Sequence, residues 1–558
     1  MRGARRVAFL LALAVATPAS AVEFHIKTEG LRLDITESLF TSYHGDLNGS
    51  PNYALIVSHD ATGMATPENT FVDLLNRLNV TLAWRRFRLA TRFDTGVFFD
   101  TPNGSCGPAA TTPITLRSRF CQNYFYAEKL SLEYSGRSVE ATLGDFYVSF
   151  GRGLVLSLRK LDELGIDTTL LGGKFVFHED NITATLVAGA TNIQNIDEAT
   201  GRYAADPYDI IAGGRVEYRA LEKIIIGVHT TGGVQNKNAT TGPHARQDGM
   251  MMYGGTIDAP RLTRWLALYF EADGQLAVNS DTRGSGYAVY GAATGYFGPA
   301  SVLVEVKHYS NYQRWKSSVD PSLPEFAPIV YNQPPTAERI QTELVSPIYD
   351  VTGPRARADF RVSSWLLLYA SYGYFQDRGA GGLEYHDPYG GAEIRWNEGR
   401  SHLFPSGGYR LEKCGTSTDC MKDNPDDQFQ SIGHVEWDAA QYLPRGLSIE
   451  TQGFALFRRG DKVINTDGTP ASWTEGDAYL ALKWTPHLVA TLGYEWSTRP
   501  STKVNQNFFN GAIQWNVTTA SSIRLFVGGT RGGLKCISGI CRDFPSFTGA
   551  RLEVVVRL

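Results

Sequence analysis

Long hydrophobic runs are missing from this chain of 558 residues. No stretch approaches the ~18 consecutive apolar residues that a transmembrane helix requires, so the sequence excludes a helical membrane protein. Long basic stretches are missing as well, and 53 Lys and Arg against 57 Asp and Glu leave a net charge of −4. Because no positive patch is available for a phosphate backbone, we expect no nucleic-acid partner.

Motifs for catalysis and cofactor binding are also absent from the sequence. The eleven histidines are scattered, and neither G-x-S-x-G nor H-E-x-x-H occurs. The glycine-rich stretch from Phe150 to Leu154 lacks the Lys and Ser/Thr of a phosphate-binding loop. The run Tyr385-His386-Asp387 has residue types that could act as a base, but we interpret it as a solvated loop at the outer rim. We therefore expect no enzyme, no cofactor and no metal site.

An export signal is predicted at the start of the chain. Three arginines within the first six residues precede an apolar core from Val7 to Ala16, and Ala19-Ser20-Ala21 fits a small-x-small cleavage site. The core is too short to span a bilayer but suits a signal peptide, to which the alternative is a short buried helix. We expect residues 1–21 to be removed and residues 22–558 to form one domain outside the cytoplasm.

Cysteines are few, and the six present fall into three local pairs. The predicted disulfides join Cys106 to Cys121, Cys414 to Cys420, and Cys536 to Cys541. Sequence proximity and an oxidising compartment favour these among the 15 pairings that six cysteines allow. The alternative, a zinc site, needs a C-x2-C pair or a nearby His, which none of the pairs has. We expect all three disulfides in extracellular loops.

Alternation of apolar and polar residues dominates the chain from Phe24 to Leu558. In the last segment Leu552, Val554 and Val556 interleave with Arg551 and Glu553, and the same period of two recurs in segments of 10–15 residues. A period of two with one apolar face predicts β-strands. A soluble β-sandwich would show the same alternation as a membrane β-barrel. The lengths of the connections between the strands have to distinguish these two folds.

The predicted connections alternate in length along the chain. Longer connections, among them 149–168, 313–355 and 461–476, fall between eleven tight turns. The turns are centred near residues 85–86, 136, 179–180, 221–222, 263–264, 298–299, 363–364, 398–399, 444–445, 486–487 and 519–520. Short turns on one side and long loops on the other are typical of an outer-membrane β-barrel. We predict an all-β transmembrane antiparallel barrel of about 24 strands (22–26), with short periplasmic turns and both termini in the periplasm.

Tryptophans support the barrel independently. Six of the ten lie close to the predicted short turns: Trp84, Trp265, Trp365, Trp396, Trp484 and Trp515. An amphipathic ring is most stable at the level of the lipid headgroups, so we expect these residues to form a periplasmic aromatic girdle.

Four segments stand apart from the alternating pattern. They are Gly144-Asp145-Phe146-Tyr147 with Phe150-Gly151-Arg152-Gly153-Leu154, then Leu164-Gly165-Ile166-Asp167, then Tyr331-Asn332-Gln333-Pro334-Pro335-Thr336, and Arg531-Gly532-Gly533-Leu534-Lys535-Cys536 with Gly539, Cys541 and Arg542. Together they resemble an uncharacterised family of Gram-negative outer-membrane β-barrel proteins. The resemblance implies the fold and an outer-membrane location but no substrate.

A barrel of 24 strands is wide, so something has to narrow its lumen. We expect the connections 149–168 and 313–355 to fold inward, with Arg152 and Arg159 meeting luminal carboxylates; an exposed surface loop is the alternative for the first. The predicted constriction residues are Arg152, Arg159, Lys160, Asp162, Glu163 and Asp167.

The function predicted from these features is a porin-like channel for small hydrophilic solutes in outer-membrane lipid. Mixed charge on the inward positions predicts no sharp ion selectivity. A surface receptor or scaffold, or an exporter subunit with an unidentified protein partner, would use the same long loops. A soluble secreted β-protein is a further alternative, whereas a TonB-dependent transporter is disfavoured because strand patterning begins too early to leave room for a plug domain.

Overall fold

The structure is a computed structural model that describes residues 30–44, 57–59, 65–67, 71–99, 123–197, 204–236, 249–278, 283–312, 315–317, 329–333, 335, 350–377, 383–414, 429–464, 470–499, 507–537, 540–544 and 546–557. The predicted signal peptide lies outside these residues. Among the residues described, no helix has the length and apolar character needed to cross a membrane.

Twenty-four antiparallel strands form one closed wall, and we number them in chain order. The first twelve are β1 (Leu31–His44), β2 (Phe71–Trp84), β3 (Phe87–Phe99), β4 (Tyr124–Ser135), β5 (Val139–Phe146), β6 (Thr169–Glu179), β7 (Ile182–Asn192), β8 (Ile210–Leu221), β9 (Ile224–Val234), β10 (Gly249–Thr263), β11 (Leu266–Val278) and β12 (Arg283–Phe297). The second twelve are β13 (Ala300–Ser310), β14 (Val351–Arg361), β15 (Leu366–Asp377), β16 (Leu383–Trp396), β17 (Ser401–Cys414), β18 (Phe429–Leu443), β19 (Leu447–Ile464), β20 (Pro470–Trp484), β21 (Leu488–Ser497), β22 (Asn507–Asn516), β23 (Ser522–Thr530) and β24 (Phe547–Arg557).

Each strand pairs with its neighbours in the chain, and β24 pairs with β1 to close the wall. Closure is what allows β-structure to exist in lipid, because it leaves no sheet edge with unpaired N–H and C=O groups. Eleven turns of two to five residues join the strands on one side, at the predicted positions, and twelve connections of four to 40 residues join them on the other. The predicted 24-stranded barrel is therefore confirmed.

The three longer connections named above have bounds that differ from those predicted, and the one predicted at 149–168 spans 147–168. The connection predicted at 313–355 spans 311–350, since β14 begins at Val351, and the one predicted at 461–476 spans only 465–469. In the last of the three, β19 and β20 extend into segments where polar residues follow one another, Asp461 with Lys462 and Thr474 with Glu475, so the period of two fades there.

The apolar face of the wall points outward. Outward side chains such as Leu143, Leu186 and Leu492 are exposed on the barrel surface, at 64%, 60% and 67%, which is the pattern of a lipid-facing belt. Polar positions of the wall strands point inward and form pairs two residues apart, among them Arg215–Glu217 at 2.7 Å on β8 and Arg357–Asp359 at 2.7 Å on β14. The wall thus has an apolar outer face and a mixed-charge luminal face.

The six tryptophans expected at one rim lie at the turn ends of their strands. All are exposed on the barrel surface, from 40% to 54%: Trp84, Trp265, Trp365, Trp396, Trp484 and Trp515. The polar N–H and the apolar ring of each suit the boundary between lipid tails and headgroups.

The predicted disulfides lie outside the part of the chain that the structure describes in full. Cys106, Cys121 and Cys420 lie outside the described residues, as do the side chains of Cys414, Cys536 and Cys541. The backbone of a small hairpin, Gly533–Ile537 with Ile540–Phe544, sets Cys536 opposite Cys541. All three disulfides stay predictions.

Candidate functional site

The lumen contains the connection of residues 147–168, which we call loop 3, and the described part of the connection of residues 311–350, which we call loop 7. Loop 3 forms a hairpin of Val148–Phe150 with Leu156–Leu158, then a second short ladder of Lys160–Leu161 with Ile166–Asp167. Of loop 7, residues 311, 312, 315–317, 329–333, 335 and 350 are described.

Loop 3 enters the lumen at a break in the wall beside Gly144 and Asp145. The pairing of β4 with β5 ends at Ser131–Gly144, and Asp145 replaces the missing ladder bonds. One of its carboxylate oxygens accepts a hydrogen bond from the Leu130 N–H at 2.8 Å, and the other accepts from Thr169 and Asn192 at 2.8 and 2.7 Å. The Gly-Asp motif is therefore the point at which the chain leaves the wall.

The middle of loop 3 is an apolar core inside the barrel. Leu154, Val155 and Leu156 are fully buried, and Phe150 and Leu158 are 1% exposed. They pack against luminal side chains of β6, β8, β10 and β12. A short segment with apolar residues at consecutive positions is buried on both faces. A wall strand differs, because its luminal face is polar.

Loop 7 is hydrogen-bonded directly to loop 3. Ser157 N–H donates to Tyr331 O at 2.7 Å, and Gln333 N–H donates to Gly153 O at 2.7 Å. The Asn332 amide accepts from Trp315 N–H at 2.7 Å and donates to the Leu154 carbonyl at 3.1 Å. These bonds satisfy backbone groups that would otherwise be buried without partners, so the two loops form one packed unit.

The wall holds this unit through Tyr331 and Asp209. The Tyr331 hydroxyl donates to the Asp209 carboxylate at 2.6 Å, and Ser317 donates to the same oxygen at 2.9 Å. Burial, with the Asp209 carboxylate alongside, raises the pKa of the Tyr331 hydroxyl well above its usual range, so this donor stays protonated. The Tyr-Asn motif thus attaches loop 7 both to the wall and to loop 3.

Asp167 holds the other end of loop 3. Its carboxylate pairs with the Arg92 guanidinium at 2.8 Å and with Lys129, and it accepts a hydrogen bond from the Tyr147 hydroxyl at 2.5 Å. Burial alone would raise the pKa of the Asp167 carboxyl, but the Lys129 ammonium and the other donors hold that pKa at about 2. Burial together with the Asp167 charge raises the pKa of Tyr147.

The C-terminal motif reaches the same place from the opposite end of the chain. Arg542 is fully buried; its guanidinium pairs with Asp197 and donates to the Leu164 carbonyl at 2.8 Å. Gly165 has a φ of +61°, and a Cβ there would lie 2.9 Å from the Arg542 guanidinium. The motifs that are distant in sequence therefore meet around loop 3.

The other predicted constriction residues have different surroundings. Arg152 reaches a carboxylate, but through its backbone N–H, which donates to Glu271 at 2.9 Å, while its guanidinium lies over the Tyr269 ring at 4.4 Å. Arg159 Nε is buried, and no described residue accepts a hydrogen bond from it; burial lowers the pKa of this guanidinium. The expected Arg159–carboxylate pair is thus absent among the described residues.

Lys160, Asp162 and Glu163 lie on the exposed side of loop 3. Lys160 pairs with Asp162 at 2.5 Å, and both line a cavity of about 660 Å³ between loop 3 and the wall. The cavity extends from Asp73, at the loop end of β2, to Arg524, at the turn end of β23. Four cationic and four acidic side chains line it: Arg77, Lys160, Arg524 and Arg551, and Asp73, Asp162, Asp197 and Glu553.

The prediction that the run Tyr385-His386-Asp387 lies in a loop is wrong, because these residues are part of β16. Tyr385 and Asp387 are buried on the luminal face, whereas His386 points to the other face, where it contacts the Tyr372 hydroxyl at 2.9 Å. Successive residues of a strand face opposite sides, so His386 and Asp387 do not form a catalytic pair.

Several residues of the site were not identified from the sequence. Arg92, Lys129 and Asp209 lie on wall strands or at their ends and are distant in sequence from the loops that they hold. Alternation marks Arg92 and Lys129 as polar inward positions, but it does not say which loop they meet.

Comparison with known proteins agrees with the resemblance seen in the motifs. Residues 54–202 match a family of unknown function (DUF6029), and this range holds the motifs of loop 3 but covers less than half of the chain. No curated protein matches the chain in sequence.

Solved structures from Pseudomonas aeruginosa show a distant similarity. The siderophore receptor PirA is 7% identical with a TM-score of 0.45, over 94% of this chain and 80% of that one. A mutant of the ferric enterobactin receptor PfeA is 8% identical with a TM-score of 0.46, over 95% and 81%. OpdO is 10% identical with a TM-score of 0.36, over 69% and 93%. Identities this low transfer no function.

Proposed function

We propose that the protein is an outer-membrane channel for small hydrophilic solutes, narrowed by loops 3 and 7. The observation that carries the proposal is the cavity beside loop 3, which follows the strand direction along β1–β3 and β23–β24. Along β5–β16 the described parts of the two loops pack against the wall in one buried core, so we assign the solute path to the cavity beside loop 3.

The charges along this path set the class of solute. Arg77 lies 3.2 Å from Asp94, Arg524 lies 4.0 Å from Glu553, and Lys160 pairs with Asp162. Each of these three cations has a carboxylate nearby, whereas the fourth, Arg551, hydrogen-bonds to Ser42 at 3.2 Å. The path therefore presents mixed charge rather than a field of one sign. Such a lining hydrogen-bonds to neutral polar or zwitterionic solutes and discriminates weakly between cations and anions.

Planar-bilayer recording of the purified full-length protein tests this path. Wild type should conduct with a reversal potential near zero in a KCl gradient, and Arg551→Gln should shift the channel toward cation preference because it removes a positive charge from the lining. Arg357→Gln is the matched control, since Arg357 lies in a luminal ion pair on β14, away from the cavity.

A solute-swelling assay with liposomes complements the recordings. Small sugars and amino acids should enter liposomes that contain the protein. Absence of both conductance and swelling, with a folded barrel, would contradict the channel proposal and favour a receptor or scaffold that acts through its loops.

A further inference from the structure

Three ionisable side chains that the channel path does not use meet under loop 3. His229 on β9 and Glu271 and Asp273 on β11 all point into the lumen, and their side chains are fully buried. His229 Nε2 lies 2.6 Å from Asp273 Oδ1 and 4.0 Å from Glu271 Oε1. One nitrogen or oxygen of each residue lies within 4.8 Å of the others.

Two glycines keep the space around these groups open. Gly254 on β10 stands in register between His229 and Asp273, and a Cβ there would lie 1.9 Å from Asp273 Oδ1. Gly151 of loop 3 approaches from the lumen, and a Cβ there would lie 1.9 Å from Glu271 Oε1. Any other residue at either position would occupy the space in which the three groups face one another.

The hydrogen bonds of the described residues leave this cluster incomplete. Glu271 Oε2 accepts from the Arg152 N–H at 2.9 Å and from the Tyr269 hydroxyl at 2.6 Å. Glu271 Oε1, Asp273 Oδ2 and His229 Nδ1 are buried, and no residue in the described part of the chain forms a hydrogen bond with them. Unpartnered buried polar atoms are rare in folded proteins, and in a group they point to a ligand.

Charge leads to the same conclusion. Two carboxylates share a fully buried site with one imidazole, and the two nearby guanidiniums are engaged elsewhere. Arg215 pairs with Glu217 at 2.7 Å, and the Arg152 guanidinium lies over the Tyr269 ring. A buried pair of acids needs a cation or a proton to be stable.

We propose that His229, Glu271 and Asp273 bind one divalent transition-metal cation of the Zn²⁺ class. One imidazole nitrogen with two carboxylate oxygens is a donor set of Zn²⁺ and its neighbours, whereas Ca²⁺ and Mg²⁺ take oxygen ligands. The cation replaces the proton between His229 Nε2 and Asp273 Oδ1 and draws in Glu271 Oε1. Because Glu271 also accepts the Arg152 N–H, the metal fixes loop 3 against β11, whichever solute the channel carries.

Metal binding to the purified full-length protein tests the proposal. After treatment with a chelator, the protein is titrated with Zn²⁺ by calorimetry, and bound zinc is counted by mass spectrometry. One equivalent should bind to wild type, and Glu271→Gln and Asp273→Asn should weaken binding at least tenfold. Both substitutions keep the side-chain shape and remove a buried charge, so the barrel should still fold, which its heat-dependent gel mobility checks.

His434→Ala is the matched control. His434 is a luminal histidine with a fully buried side chain and one carboxylate, Glu436, at 3.4 Å. This variant should keep the full equivalent of zinc, and Co²⁺ bound to wild type should show visible d–d absorption that Glu271→Gln lacks. Absence of bound Zn²⁺ in wild type, or its retention by both isosteric variants, would overturn the proposal and leave the two acids sharing a proton.

Discussion

At Asp167 a single carboxylate attaches loop 3 to two wall strands through Arg92 and Lys129. Asp167→Asn removes the charge but keeps the size of the side chain. The pKa of about 2 against the usual value of 3.8 corresponds to roughly 2 kcal/mol of stability at neutral pH. We expect the variant to lose about this much in urea unfolding. Asp162→Asn, on the exposed side of the same loop, should change stability little.

The pH dependence of this effect has a defined sign. The pKa of Asp167 is lower in the folded protein than in the unfolded chain, so its stabilisation is fully present above pH 4 and is lost as the pH falls from 4 to 2. The stability difference between wild type and Asp167→Asn should shrink over that range. A difference that stays constant down to pH 2 would contradict the role of the ionised carboxylate.

Gly144 provides a second test on a single residue. Its φ is +102°, and a Cβ there would lie 2.0 Å from the Leu130 carbonyl oxygen. Gly144→Ala should therefore reduce the fraction of protein that reaches the heat-modifiable folded form. Gly298→Ala is the control, because Gly298 also has a positive φ, +65°, but has no atom within 4 Å of an added Cβ. Equal folding of the two variants would show that the close contact is not what requires glycine at 144.

Single residues of the site could be predicted from sequence only in part. The motifs around Gly144, Gly165 and Tyr331 departed from the period of two, and each lies at a contact of loop 3 or loop 7. Their partners could not be predicted, because an inward position on a wall strand looks the same whether it meets water or a loop. His229, Glu271 and Asp273 are inward positions of this kind. Their proximity could not be predicted, because β10 lies between the strand that carries His229 and the strand that carries the two acids.

Loop 7 packs against loop 3 inside the barrel, so its removal tests whether the two loops narrow the lumen. Replacing residues 313–349 with a short Gly-Ser linker removes Trp315, Tyr331 and Asn332 from the lumen while the wall strands stay intact. We expect single-channel conductance to rise severalfold, with unchanged heat-dependent gel mobility. The same linker in place of residues 500–506, between β21 and β22, controls for the loss of a connection on the same side of the barrel. Unchanged conductance would mean that loop 7 does not obstruct the path.

The wall itself was accessible to sequence reasoning because its signals are local. A turn of two to five residues and an alternating segment are both visible within one hairpin, which is why the strand number followed from the sequence. The inward packing of loop 3 depends on residues from β3 to β12 and from the C-terminal motif. Contacts between residues so far apart in the chain produce no periodic pattern in the sequence.

The orientation of the whole molecule gives one more prediction. β1 begins and β24 ends on the side of the short turns, so a tag placed after Leu558 should be hidden from antibody in intact cells. A tag inserted at residues 465–469, between β19 and β20, should be labelled. Permeabilised cells provide the control, in which both tags should react. Surface labelling of the C-terminal tag would reverse the proposed topology.

The seam between β1 and β24 determines how the barrel assembles. Every other wall pair joins strands that are consecutive in the chain, whereas at the seam Arg551 hydrogen-bonds to Ser42, a sequence separation of 509 residues. Consecutive hairpins close short loops, but the closing pair requires both ends of the domain and carries the largest loop-closure entropy. Until this pair forms, the N–H and C=O groups of two strand edges lack hydrogen-bond partners, and lipid tails provide none. We therefore expect closure of this seam to be the last step of assembly, and a chain that stops before β24 to have no stable form in the membrane.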